Sequence, residues 1–189
     1  MADTNETERR PRTKYGTYDY VVMAFLSAVS AVAYAGLAQV WTALTAATGP
    51  LGGALLGLFQ FGHLIAFAVL KKPGVAFITS FLTTVGQLLI GDPSGAYVLG
   101  WGVVHGLGAE AVFMMRGYKS TSPFTLCLAG GVAAVLGQFY SYWVFGWQGV
   151  KWMFYVSLPI LFLSSAIESG LLAHFVRKAL SRTQLLRKS

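Results

Sequence analysis

Long apolar runs separated by short polar breaks set the pattern of this chain. Six apolar segments stand out, at roughly 20–41, 53–70, 74–90, 96–115, 123–146 and 152–176. Most reach the roughly 17–25 residues that a helix needs to cross a bilayer at about 1.5 Å per residue. Between them lie Thr48-Gly49-Pro50, Lys71-Lys72-Pro73-Gly74, Gly91-Asp92-Pro93-Ser94-Gly95, Gly117-Tyr118-Lys119-Ser120 and Gly146-Trp147-Gln148-Gly149. Gly and Pro stop a helix at these breaks, and charged side chains do not stay in hydrocarbon. The pattern predicts an all-α, polytopic membrane protein with six transmembrane helices. Residues 1–16 read as a disordered polar arm, 17–180 as the membrane domain and 181–189 as a basic tail. The first apolar run is too long, and starts too late, for a cleaved signal peptide, so it reads as a retained helix.

Charge adds an orientation. With six spans, thirteen of the fourteen Lys and Arg residues fall on one side: Arg9, Arg10, Arg12, Lys14, Lys71, Lys72, Arg116, Lys119, Arg177, Lys178, Arg182, Arg187 and Lys188. Lys151 alone falls on the other. Five or seven spans would scatter these charges, so the positive-inside rule places both termini in the cytoplasm. Composition agrees. The chain is 55% hydrophobic and 11% charged, whereas in soluble domains about a quarter of residues are charged. The net charge of +7 sits in clusters between apolar runs and not on a polar, nucleic-acid-binding face. A single cysteine, Cys127, excludes a disulfide framework and a cysteine metal knuckle.

Candidate chemistry lies inside the spans. HExxH, Walker A and GxSxG motifs are absent, so neither an enzyme nor a cofactor protein is expected. Glu110 and Glu168 are costly at membrane depth and are either functional or hydrogen-bonded between helices. Gln60, Gln87 and Gln138, with His63 and His105, add polar groups that suit helix bridging or a binding site. In the fourth span Tyr97, Trp101, His105 and Gly108 recur at three or four residues and share a face, while Glu110 points elsewhere. The fifth span adds Gln138, Tyr140, Tyr142 and Trp143. Such residues form an interfacial aromatic belt or, converging from several helices, a pocket for a small, flat, polar ring. In the first span Ala24, Ala28, Ala31 and Ala35, beside Ser27, form a seam of small residues. It fits packing within the chain or docking against a partner subunit.

Three motifs, Lys71-Lys72-Pro73-Gly74, Gly91-Asp92-Pro93-Ser94-Gly95 and Gly106-Leu107-Gly108-Ala109-Glu110-Ala111-Val112-Phe113, occur in order at span boundaries. Over residues 17–180 the chain resembles the YkoE family of substrate-binding (S) components of energy-coupling factor (ECF) vitamin transporters. The resemblance implies a six-helix subunit that binds thiamine, or its hydroxymethylpyrimidine precursor, from outside. A separate transmembrane coupling subunit and ATP-binding subunits would supply the energy. It also implies acidic residues in the second and third spans, where this chain has Gly53, Ser80 and Gln87. On this reading Gln60, Gln87, Tyr97, Trp101, His105, Gln138 and Tyr142 bind substrate, and the alanine seam meets the coupling subunit. Two other classes compete with it. One is a membrane cytochrome with His63 and His105 as haem ligands. The other is a small channel or secondary transporter with Glu110 and Glu168 as ion sites.

Overall fold

The structure, a computed structural model, describes residues 14–182; most of the predicted N-terminal arm and of the basic tail lies outside the described residues. The described residues contain helices and no strand. The α-helices are α1 (Thr17–Thr48), α2 (Phe61–Leu70), α3 (Val75–Ile90), α4 (Val98–Met115), α5 (Pro123–Val144), α6 (Lys151–Ser165) and α7 (Leu172–Arg182). By length and apolarity, Thr17–Leu70, Gly95–Met115, Pro123–Val144 and Trp147–Leu180 each suffice to cross a membrane, and Val75–Ile90 is a shorter apolar helix.

The 54-residue run Thr17–Leu70 is not straight. It turns at Gly49, whose φ of 59° suits glycine, and the returning chain packs antiparallel on α1. The partners run in opposite order. A Cβ on Gly52 would stand 2.9 Å from Thr45 Cα, and Phe59 stacks near Tyr34 at 5.5 Å. The Gly62 N–H donates to Tyr34 Oη at 2.9 Å, and Ala66 shares a buried cluster with Met23.

The segment predicted as a second α-helix begins as an eleven-residue 3₁₀ helix, Gly49–Phe59. Runs beyond three or four residues are uncommon, and glycines explain this one. Gly53 lies against Gln138 and Leu161, and Gly57 against Ser165 and Glu168, so that Cβ atoms there would stand 2.6 Å or less from a neighbour. At about 2.0 Å per residue the 3₁₀ turn adds about 22 Å to the roughly 15 Å of α2, enough for bilayer thickness. At the other end of the chain, α6 contains Pro159 and runs through a π-helical segment, Ala166–Leu171, into α7.

Two polar layers and one dry core organise the bundle. At the end carrying loop 71–74, Lys72 Nζ pairs with Asp19 Oδ2 at 2.6 Å and Tyr15 Oη donates to the Pro73 carbonyl. Glu110 accepts from the Gly74 N–H, and from the Phe77 N–H at 3.4 Å, at the start of α3. It thereby satisfies donors that a helix N-terminus leaves free. Burial, with Glu110 beside it, pushes the Tyr118 phenol up to about 12. Arg177 donates to the Thr121 carbonyl at 3.0 Å. Above this layer Leu64, Ile65, Phe67, Val112, Phe113 and Leu126 form a dry core, in which Phe67 and Phe113 stack at 3.5 Å.

Candidate functional site

A cavity of about 500 Å³, counted with its open part, occupies the opposite half of the bundle. Four helical faces and a loop line it. Tyr34, Ala38 and Trp41 recur at four and three residues on α1, and Leu56, Phe59 and His63 come from the 3₁₀ segment and α2. Ser80, Thr83, Thr84 and Gln87 form a polar stripe on α3, while Val98, Trp101 and His105 come from α4. Asp92 and Ser94 of the α3–α4 loop complete it. Trp101 is three residues and His105 seven residues past Val98, about 4.5 and about 10 Å into α4.

The aromatic wall is fixed before any ligand arrives. Trp101 Nε1 donates to Ser141 Oγ at 2.9 Å, and Ser141 in turn donates to the Gly137 carbonyl at 2.9 Å. The Trp101 ring meets Trp41 edge-on at 5.8 Å and Tyr140 at 5.0 Å. Elsewhere in the lining, Gln87 Nε2 donates to Asp92 Oδ2 at 3.1 Å, and the Ser94 N–H donates to Asp92 Oδ1 at 2.8 Å. The Asp92 N–H returns to the Gln87 carbonyl at 3.1 Å. Asp92 is 7% exposed and Gln87 3%, so the two form a braced pair whose amide points into the cavity.

Of the residues expected to bind substrate, Gln87, Trp101 and His105 line this cavity. Gln60 and Gln138 are fully buried elsewhere. Gln138 Nε2 donates to the Pro50 carbonyl at 2.9 Å and to Ser157 Oγ at 3.0 Å, tying the 3₁₀ segment to α5 and α6. The Gln60 amide, turned so that both its ends are satisfied, donates to the Gly130 carbonyl at 2.8 Å and accepts from the Ala134 N–H at 3.1 Å. Tyr97 is 62% exposed and lends its carbonyl to Tyr140 Oη at 3.1 Å. Tyr142 packs on Phe154 at 4.6 Å, between α5 and α6. The alanine seam divides: Ala24 and Ala28 face outward, Ala35 is half-buried, and Ala31 faces inward, where a Cβ on Gly86 would stand 2.7 Å from its own.

Neither competing class gains from this geometry. His105 Nε2 lies so close to α5 that a Cβ on Gly137 would stand 1.9 Å away, which leaves no room for a haem iron. Glu110 is engaged with the start of α3. Glu168 contacts the Leu58 N–H in the 3₁₀ segment, outside the cavity lining. Sequence reasoning missed Trp41, Tyr34 and Asp92. The signals were present: the 34/38/41 spacing on α1, and the hydroxyl stripe at 80, 83, 84 and 87. Of the positions where acidic residues were implied, Ser80 and Gln87 are on the cavity wall, while Gly53 is pressed against Gln138 and Leu161 with no space for a side chain.

A multi-pass helical bundle with a small-molecule cavity in one half is the architecture of a substrate-binding membrane component of a transporter. A solved S component of an ECF transporter matches it with a TM-score of 0.86 at 30% identity, covering 93% of this chain and 90% of that one. YkoE of Bacillus subtilis (strain 168), whose name gives it as a hydroxymethylpyrimidine/thiamine permease, is 32% identical over 170 residues, 89% of this chain and 85% of that protein. Residues 18–136 also match the family model described as the permease component of an ABC-type cobalt transport system. Among the described residues no three His, Cys, Asp or Glu side chains gather as metal ligands. The chain belongs to the YkoE family of ECF S components, which are multi-pass bacterial membrane proteins working with the other ECF subunits.

Proposed function

We propose that this subunit captures thiamine or hydroxymethylpyrimidine from the extracellular side for ATP-driven uptake. On this reading the chain crosses the membrane six times with both termini in the cytoplasm. The 3₁₀ segment with α2 makes one span, and α6 with α7 another. The cavity half, with loops 91–97 and 145–150, then faces outward, and the Lys72–Asp19 layer faces the cytoplasm, as the clustering of basic residues requires.

The observation that carries the reading is that the locked Trp101 ring and the Gln87–Asp92 pair line one cavity. An aminopyrimidine is flat, offers an exocyclic amine and has ring nitrogens that accept. Its face stacks on an indole, worth about 0.5–1.5 kcal/mol beyond area burial. Its amine donates to the Gln87 side-chain oxygen or to Asp92, which supplies the carboxylate that Gln87 itself lacks. His105 and the α3 hydroxyls form the floor and sides. Gln60 and Gln138 serve from behind by holding the 3₁₀ segment in place. Tyr97 and Tyr142 belong to the surrounding rim. The outward Ala24 and Ala28 give the coupling subunit a thin surface to approach. The YkoE relative's name, which pairs hydroxymethylpyrimidine with thiamine, supports the same ligand class.

Isothermal titration of purified wild type and Gln87→Ala with both compounds tests this. The substitution is expected to weaken binding roughly ten- to a hundredfold, on the order of 1–3 kcal/mol for a lost buried hydrogen bond. Unchanged affinity in a folded variant, or no binding of either compound by wild type, refutes the assignment.

A further inference from the structure

The charge inventory of the cavity carries the reading one step further. Among the described residues Asp92 is the only one in the lining with a formal charge, and neither Lys nor Arg reaches it. The two imidazoles there, His63 and His105, have no carboxylate partner that would hold a positive charge on them, since the ion pair among the described residues is Lys72–Asp19. Backbone N–H groups are the other usual means of receiving phosphate, chiefly where a loop enters a helix. Here that place is filled. The α3–α4 loop enters α4 beside the cavity, and its Ser94 N–H is already given to Asp92 Oδ1. The Gly95 N–H is given to the Asp92 carbonyl at 2.9 Å. One residue therefore adds a negative charge and occupies the donors that would compensate another. Trp41 and Trp101 add to the bias, because indole faces attract cations, and the unpartnered donor Trp41 Nε1 is neutral and brings no charge to offset a phosphate.

We propose that Asp92 makes this site selective for the unphosphorylated ligand, admitting the thiazolium cation and neutral pyrimidines while rejecting their phosphate esters. The proposal rests on the ligand class assigned above and adds a ranking within it. A phosphate ester brings about −1.5 to −2 charge, placed against a carboxylate with no cation to receive it, and like-charge juxtaposition of that kind is strongly disfavoured. Thiamine carries one fixed positive charge, and hydroxymethylpyrimidine carries none.

The test is titration of purified wild type, Asp92→Asn and Asp92→Glu with thiamine, hydroxymethylpyrimidine and thiamine monophosphate at matched ionic strength. Wild type is expected to bind the monophosphate about tenfold or more weaker than thiamine. Asp92→Asn should weaken thiamine most, hydroxymethylpyrimidine less, and narrow the thiamine-to-monophosphate ratio; Asp92→Glu should restore that ratio. Equal or tighter binding of the monophosphate by wild type overturns the proposal without recourse to any variant. So does an Asp92→Asn protein that loses affinity for thiamine and its ester in equal proportion. Binding of none of the three compounds by wild type would instead overturn the ligand class itself, and this selection with it.

Discussion

Gly137→Ala places a single methyl where the structure has no space for one. The added Cβ would stand 1.9 Å from His105 Nε2, 2.5 Å from Cδ2 and 3.2 Å from Cε1. Comfortable contact begins near 3.5 Å, so the imidazole must withdraw by about 1.5 Å. His105 is 4% exposed and held on α4 with Gly102 and Gly106, both packed hard against α3. The cavity that His105 lines is the free volume open to it. The displaced ring therefore enters the space meant for ligand. Overpacking of this kind costs about 1–3 kcal/mol, or roughly 3–10 °C in melting temperature for a chain of this size. Ligand affinity falls with it. Differential scanning fluorimetry in detergent and isothermal titration read the two effects. Adding His105→Ala removes the clash, so the double variant should recover stability relative to additive expectation, with a coupling on the order of 1 kcal/mol or more. A Gly137→Ala protein that melts and binds like wild type would refute the placement of His105 between α5 and the cavity.

The remaining predictions concern the other surfaces. Ala31→Trp should lower melting temperature and ligand binding together, because Ala31 is 2% exposed and meets Gly86. Ala28→Trp, on the outward face, should leave both intact while reducing co-purification with the coupling subunit and uptake. Normal complex formation by Ala28→Trp would remove the docking role from α1. Glu110→Ala should destabilise the start of α3 by about 0.5–2 kcal/mol, the usual cost of losing a helix cap, with Glu110→Gln losing less. Unaltered melting of Glu110→Ala would show that the Gly74 and Phe77 contacts contribute nothing.

Much of the fold was legible because hydrocarbon imposes one requirement on every span, and the polar breaks therefore mark real turns. The limits of the pattern were local. Apolar runs do not distinguish α from 3₁₀ winding; Gly53 and Gly57 hinted at close packing, but their partners, Gln138, Leu161, Ser165 and Glu168, are far away in sequence. The continuation of α1 to Thr48 was hidden by the polar Thr42, Thr45 and Thr48, of which Thr48 returns its hydroxyl to the Leu44 carbonyl at 2.8 Å. The site was half legible. Periodicity put Trp101 and His105 on one face, and they do share the cavity wall. Periodicity could not say which buried amides face a cavity and which bridge helices, since Gln60, Gln87 and Gln138 look alike in sequence. Asp92 was read as part of a turn because its neighbours are Gly, Pro and Ser; the local end of α3 at Gly91 folds it back over Gln87, five residues earlier, and the turn reading did not extend to that side-chain pair.

The two halves of the bundle impose different constraints on transport. Below the cavity floor, Leu64, Phe67, Val112, Phe113 and Leu126 are 0% exposed, and beneath them the Lys72–Asp19 pair and the Glu110 contacts close the end. Passage of a polar ring through that half would require it to part the stacked Phe67 and Phe113 and to break a partly buried ion pair. Each removed core side chain in such a region costs about 2–5 kcal/mol, and several would have to move at once. The cavity's own outer wall is made of one short loop and aromatic edges, a far smaller obstacle. A ligand that enters there leaves more easily by the same route than through the core. Binding by this subunit therefore does not by itself amount to translocation. Under the proposed function the energy of ATP acts on the position of the whole bundle, and the proposal then assigns the outward face of α1 to uptake as it assigns Gln87 and Trp101 to capture.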